Sequence, residues 1–197
     1  MPEYHDFGDN NGPVPAYRHR NPDGSAGGWV AISATVAPSA YVGYNAYVSG
    51  AAHILDFAKI LDYAEVRDHA SITQHAVVKD EALVCNRSIV TGMAVVAGCS
   101  TVSDHAIVSG NARVAGSAKI TKMAKVYGNA HIHGNAHIRH QAVVEGSSEI
   151  CGDVIVGGVA HIKKGYCGEN AYLFKILQPT QPLIVDALQA LDAAIGQ

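Results

Sequence analysis

The sequence predicts an all-β fold, a single-stranded solenoid of short parallel strands wound into coils, and three observations predict it. From Val30 to Ile162 every sixth residue is valine or isoleucine, 23 positions in succession with no insertion or deletion. The residue two before each is equally restricted: from Ala34 to Ala160 it is alanine 18 times, serine at Ser88, Ser100 and Ser148, and valine at Val154. Between these pairs stand turn formers such as Gly110-Asn111, Gly128-Asn129, Gly134-Asn135 and Gly152-Asp153, which tolerate positive φ or bond their own backbone.

Residues two apart in a strand share a side, so Ala34 and Val36 look inward while Thr35 looks out. No inward position carries a charge, and each hexad reads as a short strand plus a corner. An amphipathic helix repeats its apolar face every three or four residues, so a helical reading fails on period. Fixed-period self-similarity marks a solenoid, whose units bury their apolar sides only against neighbours.

Three segments follow. Residues 1–28 are rich in Gly, Pro, Asn and Asp, with Tyr4, Phe7 and Tyr17, and next to them Trp29, as anchors; this predicts an irregular arm that caps the first coil. A solenoid end exposes unpaired strand edges and an open core, hence the need for a cap. Residues 29–165 form the solenoid. In the extension, residues 166–197, Ala171-Tyr172-Leu173 mimics one more hexad, but Leu173 lies 11 residues beyond Ile162 where phase demands 12, so the repeat is expected to slip and end there. After Pro179, Thr180 can cap a helix over about residues 180–195, whose stripe Ile184, Leu188, Leu191 and Ile195 needs a packing partner: the last coil, a prism face or another subunit.

The hexads Ala112-Arg113-Val114-Ala115-Gly116-Ser117 and Ala130-His131-Ile132-His133-Gly134-Asn135 resemble the left-handed parallel β-helix built from hexapeptide repeats. The resemblance covers about two thirds of the chain. It implies a left-handed coil and three hexads, or 18 residues, per triangular turn; 23/3 then gives between seven and eight coils. The entrance Ser25-Ala26-Gly27-Gly28-Trp29-Val30 is similar to the start of YdcK-like proteins, a hexapeptide-repeat group labelled as acyltransferases. That similarity implies acyl transfer from acyl-CoA, the only cosubstrate or cofactor expected.

Composition narrows the classes. A net charge of −3 suggests no polyanion-binding surface, so nucleic acid is not an expected partner. The longest apolar runs span a few residues, far short of a bilayer, and no basic start leads into an apolar stretch, so a soluble cytoplasmic protein is expected. Cys85, Cys99, Cys151 and Cys167 form no C-x-x-C pair, which argues for reduced thiols over a zinc ribbon or disulfide framework.

Function must come from outward positions, whose neighbours on one face follow by adding 18. Val77 then lies beside Val95 and Ile89 beside Ile107, with Leu83 on the third face. Exposed apolar patches often mark association surfaces, and related β-helices form trimers with parallel axes, so these five residues are expected at a homotrimer interface; cover by the arm or the C-terminal helix is the alternative.

The same arithmetic gathers a polar cluster: Arg113, His131 and Glu149 in one column, His133 and Cys151 in the next. Glu149 beside His131 can hold its tautomer, Arg113 offers a cation to a carboxylate or phosphate, and His133 beside Cys151 can activate the thiol. A solvated ladder of stacked side chains is the plain alternative. In hexapeptide acyltransferases a histidine is the general base, and the resemblance nominates His131 or His133 without choosing between them. Many such enzymes carry a long loop between coils, and this repeat has none.

A third constellation, His69, Arg87 and His105, stacks on one corner, with His75 one hexad after His69. γ-Class carbonic anhydrases, a related β-helix group, bind zinc through histidines; His69 and His105, 36 apart, fit two ligands, but the third would fall on Gly110. No metal site is therefore expected. Two functions stay open: an acyltransferase acting on a small amine or hydroxyl acceptor, and a non-catalytic scaffold that engages a protein partner through its flat faces.

Overall fold

The structure, a computed structural model, describes residues 3–168 and 171–175. It is a parallel β-solenoid of about eight turns. Strands 18 residues apart pair in parallel register, as Ile89 with Ile107 and Val90 with Val108. Amides flanking each inward aliphatic residue run along the prism: Thr35 N–H donates to the Ala52 carbonyl at 2.9 Å and Ala37 N–H to Ile54 at 2.8 Å, and this step recurs coil after coil. Three faces result. The first starts at Thr35–Val36, the second at Tyr41–Val42, and the third at Trp29 and Tyr47–Val48. An 8-residue strand, Val143–Ile150, turns a corner unbroken and joins the first two faces into one 14-stranded sheet.

Except for Val36 at the entrance, every aliphatic residue of the Val30 to Ile162 column is at most 1% exposed. Serine replaces alanine in the small column without leaving a buried hydroxyl unpaired. Ser88 Oγ donates to the Cys85 carbonyl at 2.7 Å, Ser100 to Ala97 at 2.7 Å and Ser148 to Glu145 at 2.6 Å.

From Gly50 to Gly158 the corner residue two places after each inward aliphatic takes a left-handed conformation, met mostly in two ways. Asp and Asn occupy several corners of the lower coils, for example Asp56 at φ 54° and Asp68 at 64°. Their side chains accept the amide one coil on: Gln74 N–H to Asp56 Oδ2 and Asn86 N–H to Asp68 Oδ2, both 2.9 Å. Glycine takes most upper corners; at Gly116, φ 64°, an added Cβ would lie 2.8 Å from the Gly134 backbone oxygen.

The arm is more regular than its composition suggests. Strands β1 (Glu3–His5), β2 (Val14–Arg20) and β3 (Ala26–Ala31) form an antiparallel meander, and β3 continues in parallel onto Tyr47–Val48. Two buried polar side chains of this arm substitute for a missing coil. The Asn21 amide donates to the Val42 carbonyl at 3.1 Å and accepts from Val42 N–H at 2.9 Å, and His19 Nε2 lies 3.3 Å from the Ala40 carbonyl. Arg18 sits over Trp29 and Tyr44, its guanidinium carbon 4.6 and 4.3 Å from the ring centres.

At the other end the repeat slips, but it does not stop. Val144 pairs with Ile162, 18 residues on, whereas Ile150 pairs with Cys167 and Val156 with Leu173, both 17 on. One residue is lost at the corner after Ile162, and Cys167 enters the core at 5% exposure. The expected helix over residues 180–195 lies outside the described residues.

Candidate functional site

The second face carries the polar cluster. Arg113 pairs with His131 and His131 with Glu149 on adjacent parallel strands, so these outward side chains are held at one strand spacing by the backbone ladder. His133 follows the inward Ile132, at the point where the face bends into its corner. The His131 and His133 rings lie with centres 4.6 Å apart at 37°.

Glu149 bonds His133, not the His131 that the column arithmetic nominated: His133 Nε2 to Glu149 Oε1 is 3.0 Å, both side chains being partly exposed. The reason is geometric. A residue just after an inward aliphatic leans toward the residue just before the aliphatic one coil on, a step of 16. The same diagonal joins Glu145 to His161 at 2.7 Å and Thr121 to His137 at 2.9 Å. His131 is held below the usual histidine value, chiefly by burial, then by the charge of His133. It is therefore a neutral imidazole at neutral pH. One ligand atom each from His131, His133 and Glu149 fall within 4.8 Å of one another.

Cys151 is buried, and the hydrogen bond it makes runs to the Tyr166 hydroxyl at 3.1 Å rather than to His133. Tyr166 was not legible as a neighbour, because the slip places it above Glu149 at a step of 17. The column is thus Arg113, His131, Glu149, Tyr166.

A second network crosses the first face near the slip. Glu145 accepts from His161, and its bond with Tyr127 pushes that phenol up to about 12. Lys163 adds a charge at 3.8 Å. Glu145 is accordingly held below the usual carboxylate range, with Tyr127 the largest cause.

The third corner is an open depression of about 440 Å³ lined by Asp68, His69, Asn86, Arg87, Asp104 and His105. Its acids are already engaged: Asp68 takes the Asn86 amide and Asp104 the Lys122 amide, at 2.9 Å each.

The apolar residues expected at an interface divide between faces. Val77 and Val95 pair on the second, Ile89 and Ile107 on the first, and Leu83 stands on the third. Ile89 is 38% exposed, the other four less. The corner between the first two faces adds exposed Phe57 and Met93, Phe57 stacking on His75 at 5.3 Å. Four of the five thus border one apolar edge, and Leu83 is apart from it.

No family model matches this chain, and neither curated proteins nor solved structures give a match. The fold defines the class, a parallel β-solenoid consistent with a hexapeptide repeat. No helix among the described residues is long and apolar enough to cross a membrane.

Proposed function

We propose that the chain is an acyl-CoA-dependent acyltransferase acting on a small amine or hydroxyl acceptor, with His133 as general base. The observation that carries this is the 3.0 Å bond from His133 to Glu149. A carboxylate that anchors one ring nitrogen fixes the tautomer and orientation of an imidazole and leaves the other nitrogen to take a proton, which is what a general base needs. His133 takes the proton from the acceptor as its nitrogen or oxygen attacks the thioester carbonyl; the new C–N or C–O bond forms, the C–S bond breaks, and the CoA thiolate leaves and takes up a proton. Arg113 offers a cationic contact to the cosubstrate's phosphates. The hexad pattern and the entrance segment similar to YdcK-like proteins support the same reading.

A homotrimer completes it, formed through the edge of Ile89, Ile107, Val77, Val95 and Met93. The cosubstrate then lies between protomers in a cytoplasmic enzyme. Acetyl-CoA should raise the melting temperature of wild type, and His133→Ala should lower turnover on a panel of amines and sugars by about 10²–10⁴. The absence of a shift with any CoA ester overturns the reading.

A second reading, a scaffold that binds a protein partner, is favoured by the exposed row Phe57, Met93 and Ile89. It expects a partner recovered with the wild type and lost when Val77 or Val95 becomes a charge although the trimer survives.

A further inference from the structure

We infer that His131, His133 and Glu149 form a binding site for a divalent late first-row metal ion, zinc being the type. The inference does not rest on acyl transfer. It rests on donor chemistry, placement and preorganisation, all within one chain.

Two imidazoles and one carboxylate are the donor set that suits zinc, cobalt and nickel, and three protein ligands leave positions open for water or a further ligand. The three ligand atoms already lie within 4.8 Å of one another, with His133 Nε2 and Glu149 Oε1 at 3.0 Å. Around zinc at about 2.0–2.2 Å per bond, neighbouring ligand atoms in a tetrahedron sit roughly 3.4 Å apart, so side-chain rotation has to open the His133–Glu149 pair slightly and close the wider spacings by at most about 1.4 Å.

The backbone does not have to move. His131 and Glu149 are register partners on adjacent strands, and the inward Ile132 between the two histidines is fully buried. Such anchoring lowers the ordering cost of the ligands.

Arg113, next in the column, is the one cation that the ladder sets beside His131 on the side away from Glu149. It opposes a bare dication and favours a metal carrying an anion in its open position, such as hydroxide, a carboxylate or a phosphate. Tyr166 closes the other end beside Glu149. Metal and base are exclusive roles for His133, so a bound ion inhibits any proton transfer through it.

The test uses the full chain, stripped with chelator and titrated with cobalt(II) and zinc(II) chloride. Cobalt should give visible d–d bands of a histidine-ligated site at one ion per chain, and zinc should displace it. His131→Ala, His133→Ala and Glu149→Gln should each weaken zinc by at least the roughly tenfold to hundredfold typical of outer-shell losses. His137→Ala, on the third face, should leave it unchanged. Binding that survives the triple variant, or no cobalt spectrum at millimolar metal, overturns the inference. The readout needs no turnover, so its failure is distinct from failure of the transferase reading.

Discussion

Val77, Val95, Arg113, His131 and Glu149 stand in one outward column of the second face, each the register partner of the next. The lower two are aliphatic and the upper three are charged or imidazole. Their inward neighbours Val78, Val96, Val114, Ile132 and Ile150 are interchangeable and fully buried. Strand pairing and core packing are therefore the same on both sides of the step from Val95 to Arg113, and neither accounts for the change. A uniform scaffold separates the two specifications: inward residues set the fold, outward ones set the task. On our reading the lower part of the column associates and the upper part does chemistry.

The largest effect should follow from crossing between the two specifications. Ile132→Ala should cost about 2–5 kcal/mol in denaturant unfolding, since it opens a cavity in a close-packed core. The adjacent His131→Ala should stay within about 0.5 kcal/mol of wild type, as surface changes do. Equal losses would remove the distinction between inward and outward residues.

Next comes the corner that makes the column possible. Gly116→Ala places a Cβ 2.8 Å from the Gly134 oxygen at a φ of 64°. We expect a loss of about 1–2 kcal/mol from conformation alone, and more from the contact. A smaller cost at Asp80→Ala would confirm that Asp corners tolerate a side chain and lose mainly one bond, from Gly98 N–H to Asp80 Oδ2 at 2.9 Å.

Below that lies association. Val95→Asp should shift light scattering from three protomers toward one, with the melting temperature of the monomer retained, while Arg113→Ala should leave the trimer intact. If Arg113→Ala dissociates it, the two parts of the column do not differ in task.

The smallest effect is on pH dependence at the cap. Burial pulls His19 below its ordinary value of 6.5. The unfolded chain therefore takes up the proton first, so stability held above 6.5 is lost as pH falls through the depressed folded value. His19→Gln should flatten the melting temperature between pH 7.5 and 5; an unchanged slope would assign acid sensitivity elsewhere.

Both inward columns and every step of 18 were legible, because a strict period leaves no freedom in register. Three things were not. The arm hid a strand because β2 carries a bulge between Arg18 and Arg20, and its buried residues Ala16 and His19 fall three apart instead of two. The slip hid Tyr166: the pair Gly165 and Cys167 and the pair Ala171 and Leu173 continue the two columns one residue early, a signal present in the 11-residue spacing to Leu173. The His133 to Glu149 bond escaped because column arithmetic counts steps along a face and not the diagonal of 16, which depends on how side chains lean at a corner.

Release of CoA thiol from acetyl-CoA, followed with a panel of amine and hydroxyl acceptors, tests the central claim most directly. Wild type should turn over at least one acceptor, His133→Ala should lower kcat by about 10²–10⁴, and the Val77→Ala variant should fall little. A His133→Ala rate equal to wild type, or no release with any acceptor, would contradict the assignment of chemistry to the upper part of the column.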